Sequence, residues 1–136
     1  MSWNDARAFI SWLNGKTGKT FSLPTEAQWE YACRAGTGTM RYWGDGEDEA
    51  CAYANVHDET SKRVFKFDWA HHACNDGYAG TSPVGRFKPN NFGLYDMLGN
   101  VSEWCEDGYD SEAYSKHGRN DPFVSNGSNR VLRGGS

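Results

Sequence analysis

This chain is short of aliphatic side chains and rich in aromatic ones. Leu, Ile and Val together number 12, against 20 Trp, Tyr and Phe, in 136 residues. No other feature constrains the fold as much. Few branched aliphatics ordinarily signal disorder, but disorder also needs high net charge and few aromatics. A net charge of -4 and 15% aromatic residues meet neither condition. The expectation is one loop-rich domain over residues 1–136, its core built from aromatic plates and its turns supplied by 16 glycines.

Several classes fall away at once. No stretch approaches the ~20 apolar residues of a membrane span. The start, Met1-Ser2-Trp3-Asn4-Asp5, lacks the basic residues and apolar run of a secretory signal. A pI near 5.5 argues against nucleic acid as a partner. Four cysteines are too few for a disulfide scaffold. As it stands, the sequence reads as cytoplasmic.

Two short helices are expected near the start. Ser2-Trp3-Asn4-Asp5 resembles a capping box, and Ala6, Phe9, Ile10 and Leu13 follow at helical spacing until Gly15 and Gly18 stop the run. Thr25 is a clear N-cap with Gln28 three residues on; Trp29, Ala32 and Cys33 form the buried stripe, and Gly36 ends the helix. Beyond Gly36 no long helical period appears. Val101, Glu103 and Cys105 alternate with Ser102 and Trp104 as a strand, and Arg130-Val131-Leu132-Arg133 reads as another. Residues 44–80 read mostly as loop, and so long a coil needs a tether.

Four ordered strings carry a family resemblance. They are Leu23-Pro24-Thr25-Glu26-Ala27-Gln28-Trp29-Glu30-Tyr31-Ala32, Asp76-Gly77-Tyr78-Ala79-Gly80-Thr81-Ser82-Pro83-Val84-Gly85, the run from Asn91 to Trp104, and Arg130-Val131-Leu132-Arg133-Gly134-Gly135-Ser136. Together they resemble the sulfatase-modifying-factor family, which includes the formylglycine-generating enzymes, across essentially the whole chain. The resemblance implies an α+β fold of C-type-lectin-like type, with little regular secondary structure. It also implies an incomplete domain. Family members usually carry strands before the Ser-Trp-Asn-Asp helix and continue past the Arg-Gly-Gly-Ser string. The two catalytic cysteines of the formylglycine-generating enzymes lie just beyond that serine, so Ser136 alone matches the active site. Ser102 departs from the family, which usually has a Trp there lining the substrate groove.

The residues themselves leave the metal question open. Cys51 and Cys74 flank the long loop and are either a disulfide or metal clip or two free thiols. Zinc on His71, His72, Cys74 and Cys51 fits no standard spacing. Calcium is better matched: Asp96 and Glu103 place two hard oxygen donors seven positions apart, and Gly99 between them permits a tight turn. Against this, Asp76 and Asp96 would also serve simply as turn caps. The resemblance implies calcium ligands at Asp96, Gly99, Val101 and Glu103. It implies a second set at Asn55, Val56, Asp76 and Tyr78, with Val56 and Tyr78 acting through their carbonyls.

Trp3, Trp12, Trp29 and Trp104 are expected in the core, whereas Trp43 and Trp69 lie in loops and either present a ligand surface or plug a thin core. The functional expectation is a non-catalytic, calcium-stabilised lectin-like module that binds a protein or small ligand through its loops. The alternative is a component of a formylglycine-generating oxidase, with copper on two thiolates, completed by another chain. Sheet edges lacking the family's terminal strands point to a homodimer or strand exchange.

Overall fold

Ser2 sets the first element. In the computed structural model, which describes residues 1–135, its hydroxyl accepts the Asp5 N–H (3.2 Å) and the Asp5 carboxylate accepts the Ser2 N–H (2.8 Å). This reciprocal cap starts α1 (Trp3–Thr17). Gly15 lies inside α1 and does not end it. Gly18 ends it, in the left-handed region at φ 68°, its N–H donating to the Asn14 carbonyl. Thr25 and Gln28 exchange backbone-to-side-chain bonds of 3.0 and 3.2 Å, and α2 (Glu26–Arg34) follows. The later elements are short: α3 (Ala50–Tyr53), α4 (Glu59–Phe65), β1 (Glu103–Gly108), α5 (Ala113–Lys116) and β2 (Arg130–Arg133). No helix among the described residues is long and apolar enough to cross a membrane.

These residues divide into two units, one of Met1–Trp29 with Trp104–Arg133 and one of Glu30–Glu103 with the segment from Gly134. The first unit holds α1, α5 and the two-stranded sheet β1–β2. Its Trp3 ring lies against the Arg7 and Arg130 guanidinium groups, 4.8 and 4.0 Å from the ring centroid, and its indole N–H donates to the Cys105 carbonyl (2.9 Å). Buried Asp107 accepts the Glu26 N–H on one oxygen (2.7 Å) and the Val124 N–H on the other (3.0 Å). It thereby supplies an acceptor at the first turn of α2.

The second unit is mostly turns. Its α4 starts at Asp58, whose carboxylate accepts the Thr60 and Ser61 N–H groups, while the Ser61 hydroxyl accepts the Asp58 N–H. Asn90 does comparable work for a loop: its carbonyl oxygen takes the Phe92 and Leu94 N–H groups, and its amide donates to the Ala32 and Cys33 carbonyls. This satisfies two of the orphan carbonyls at the C-terminal end of α2.

Three expectations are corrected. The first strand begins at Glu103 and runs to Gly108, because Val101 is caught in a turn, its N–H donating to the Gly99 carbonyl (2.8 Å). The stretch read as loop contains α3 and α4, two short helices with no apolar period. The core is not made of aromatic plates. The buried apolar residues are Ala6, Ala35, Ala50, Ala54, Ala113, Cys33, Cys105, Met97 and Val131, with Trp29 and Tyr42 as the only large rings among them. Trp12, expected inside, is 59% exposed, and Phe9 on the same helix is 54% exposed. Small side chains suit an interior in which irregular backbone segments approach one another closely.

Candidate functional site

Both expected calcium sets lie in the second unit. The first is the turn from Asp96 to Val101. Asp96, Gly99 and Asn100 all adopt positive φ (54°, 79° and 65°). Gly99 is obligatory here, since a Cβ would overlap the Asn55 carbonyl. Asp96 Oδ2 accepts the Gly85 N–H at 2.7 Å, but Oδ1 is buried without any hydrogen-bond partner. A buried carboxylate oxygen with no donor costs about 1–3 kcal/mol or more. It is the kind of vacant acceptor that a hard cation fills. The donor chemistry of Asp96, Gly99, Val101 and Glu103 therefore fits calcium.

In the second set Asp76 binds the backbone of Val56 and Tyr78 through their N–H groups, not through the carbonyls that the resemblance implies as ligands. Asp76 Oδ2 accepts the Val56 N–H (2.9 Å) and Oδ1 accepts the Tyr78 N–H (2.7 Å). Asn55 is bonded elsewhere: its amide donates to the Gly80 carbonyl at 2.6 Å, and its backbone carbonyl accepts the Asn100 N–H. Burial pushes the Asp76 carboxyl above the ordinary carboxylate range, against the pull of the Tyr78 and Val56 N–H donors, and the Asp58 carboxylate adds to the push. The residue types of this set, carboxylate, amide and carbonyl oxygens, are the donors calcium takes.

The shell behind these donors was not anticipated from sequence. Asp58, fully buried, binds the Asp76 N–H through Oδ2 (2.8 Å) as well as capping α4. Burial alone would raise its carboxyl, but donors from Ser61, Asp76 and Thr60 outweigh that and hold it below the usual range. Asn100 accepts the Ser82 N–H (2.9 Å) and donates to the Ser82 carbonyl (3.3 Å). Cys51 and Cys74 form a disulfide with a Cα separation of 6.0 Å. The bridge lies four residues before Asn55 and two before Asp76, and so ties both arms of the second set.

The other sequence candidates resolve simply. His71 pairs with Glu59 (3.1 Å) and His72 meets the Glu47 carbonyl (3.0 Å), so with both cysteines in the bridge the zinc set does not assemble. Among the described residues no group of three His, Cys, Asp or Glu side chains converges on one point. Cys33 and Cys105 are buried and outside the disulfide. Trp43 stacks on Tyr53 (5.3 Å between centroids, 10° between planes) beside a cavity that Gly134 and Gly135 also line. Ser136 lies outside the described residues.

The architecture is thus an α+β protein whose loop-built unit holds a disulfide, the positive-φ turn at Asp96 and the turn at Asp76. A family model described as "Sulfatase-modifying factor enzyme 1-like domain" matches residues 1–136. The chain belongs to this sulfatase-modifying-factor family. It is 39% identical over 139 residues to a formylglycine-generating enzyme of Streptomyces coelicolor, covering all of this chain and 40% of that protein. It is 38% identical over 138 residues to the mouse enzyme of the same name, covering all of this chain and 34% of that protein. A bovine protein named inactive C-alpha-formylglycine-generating enzyme 2 is 40% identical over 111 residues, covering 80% of this chain and 32% of that protein. Among solved structures, PvdO from Pseudomonas aeruginosa superposes with a TM-score of 0.72 at 30% identity, over 99% of this chain and 48% of that one. The chain spans about two fifths or less of the length of these curated relatives.

Proposed function

We propose that these residues form a calcium-stabilised, lectin-like framework of the sulfatase-modifying-factor family that binds a protein or small ligand through its loops. The unpartnered, buried Oδ1 of Asp96, set in a turn of three positive-φ residues, carries this reading. Calcium bound there supplies charge compensation and fixes the turn; the chain's own donors are Asp96 and Glu103, with the carbonyls of Gly99 and Val101. Asp76 and Asn55, with the carbonyls of Val56 and Tyr78, form the second set. The framework role accords with the cysteines: Cys51 and Cys74 are spent on each other and Cys33 and Cys105 are buried. The described residues therefore do not fit a two-thiolate copper site.

The test is thermal unfolding with calcium and with a chelator. Saturating calcium at a hundredfold over Kd stabilises by about 2.7 kcal/mol per site. Asp96→Asn is expected to remove the share of the first site. A melting temperature that calcium leaves unmoved in the unmodified protein overturns the reading.

A second reading is favoured by the names of the relatives at 38–39% identity. Here the framework is one component of a formylglycine-generating oxidase whose copper-binding thiolates come from residues beyond these. Incubating the protein and a candidate partner with copper, oxygen and a cysteine-bearing sulfatase peptide tests this by mass spectrometry. Aldehyde product supports the oxidase reading, and its absence with every partner removes it.

A further inference from the structure

The end of α4 and the segment after it carry four exposed large apolar residues in six positions: Val64 (54%), Phe65 (48%), Phe67 (38%) and Trp69 (66%). Single exposed apolar side chains need no explanation, but a contiguous group of this kind marks a contact surface. The rings are ordered. Phe67 stacks on Trp69 with centroids 4.4 Å apart and planes 7° apart, and on Phe65 at 5.5 Å and 28°. Together they line a cavity of about 280 Å³, roofed on another side by Gly80 and Thr81. That volume sits at the lower edge of small-ligand sites, the size of a single ring with substituents.

Two polar features select among occupants. His57 lines the same cavity, edge-on to Phe67 and Trp69. Its Nδ1 lies 2.8 Å from the Ser61 hydroxyl, while its Nε2 is buried with no partner. Phe67 also lines a neighbouring cleft whose walls include Lys62, Arg63 and Lys66. Glu59 and Asp68 lie on that cleft too, but Glu59 is engaged with His71. Three cations against two carboxylates bias this edge positive in a chain whose net charge is -4. An aromatic slot without these neighbours would suit a quaternary ammonium ion. Lys62, Arg63 and Lys66 repel such a cation and attract an anion.

We propose that the Phe65–Phe67–Trp69 slot, with His57 and the Lys62–Arg63–Lys66 edge, binds a small single-ring aromatic carboxylate or similar aryl anion. The ring extends the aromatic stack, and the acid group takes the cationic edge. This deepens the ligand-binding half of the proposed function and does not depend on the Asp96 calcium set.

Benzoate is the probe, titrated into the ¹⁵N-labelled chain in the presence of calcium and again in chelator, with the Trp69 indole N–H and, for variants at Trp69, the Gly80 and Thr81 amides of the same cavity as reporters. A saturable shift with Kd on the order of 1 mM is expected for a ligand of this size. Trp69→Ala is expected to weaken binding about tenfold, and since Trp69 is two-thirds exposed its melting temperature serves as the folding control. Replacing Lys62→Gln together with Arg63→Gln should weaken benzoate about threefold to tenfold while leaving neutral benzyl alcohol unchanged. Benzyltrimethylammonium should bind more weakly than benzoate. No saturable shift at Trp69, equal binding of benzyltrimethylammonium, or a charge variant indifferent to benzoate overturns the proposal. A calcium-dependent rise in melting temperature alongside any of these leaves the framework reading intact, so the two fail separately.

Discussion

The two units solve one physical problem in different ways. Every buried backbone N–H and C=O needs a partner. The first unit, with its long α1 and its β1–β2 pair, meets most of that need with regular ladders, and Asp107 is its one strongly buried acidic side chain. The second has only short helices and no strand pair of its own, and it buries Asn55, Asp58, Thr60, Ser61, Ser82, Asn90 and Asn100 to do the same work. In the first unit stability is spread over many similar bonds. In the second it is concentrated in a few side chains: Asp58 holds three backbone groups, Asn90 four and Asn100 two. Such networks are rigid when complete and fail sharply when a member is lost. They also leave donor oxygens such as Asp96 Oδ1 fixed in space, as the proposed calcium turns require.

The sharpest way to break the comparison is Gly99→Ala. The added methyl meets the Asn55 carbonyl at a residue with φ 79°, so both sterics and backbone conformation oppose it. The expected loss is about 4 kcal/mol in urea unfolding, with calcium binding at Asp96 lost alongside. A loss under about 1 kcal/mol would show that the turn relaxes freely.

Next comes a matched pair, Asp58→Ala in the second unit and Asp107→Ala in the first. Asp58 serves three backbone N–H groups and Asp107 two. At about 1 kcal/mol or more for each stranded donor, the expected losses are about 3 and about 2 kcal/mol. Equal losses would mean that the number of bonds held is not what sets the cost.

Removing the Cys51–Cys74 bridge with Cys51→Ser and Cys74→Ser should lose about 3 kcal/mol for a loop of 23 residues. Hydrogen exchange should accelerate in α4 and around Asp76 while the amides of α1 stay protected. Uniform acceleration would show that the two units unfold together.

What was legible follows the same division. The cap at Ser2 and Asp5, the Thr25–Gln28 box and the short Arg130-Val131-Leu132-Arg133 strand are local patterns, and local patterns survive in sequence. The helix over Glu59–Phe65 went unseen because ETSKRVF has no apolar stripe, although Asp58 with Ser61 three residues on is a readable cap signal. Aromatic content showed that rings were plentiful but not where they sit, and most lie half-exposed instead of in the core. Asp76 and Asp96 were recognisable as hard donors. That Oδ2 of Asp96 takes the Gly85 N–H, eleven residues away, while Oδ1 is left without a partner is a product of the folded turn, and no spacing rule encodes it.

The smallest effect belongs to the first unit. Ser2→Ala removes the hydroxyl that accepts the Asp5 N–H but leaves the Asp5 carboxylate able to take the N–H of residue 2. The cap is solvent-exposed, so water replaces the lost acceptor and no buried group is stranded. The expected loss is about 1 kcal/mol, read in the same urea titration, with fraying confined to the first turn of α1. If Ser2→Ala instead costs as much as Asp58→Ala, exposed caps and buried ones are equally critical here, and the contrast between distributed and concentrated stability fails.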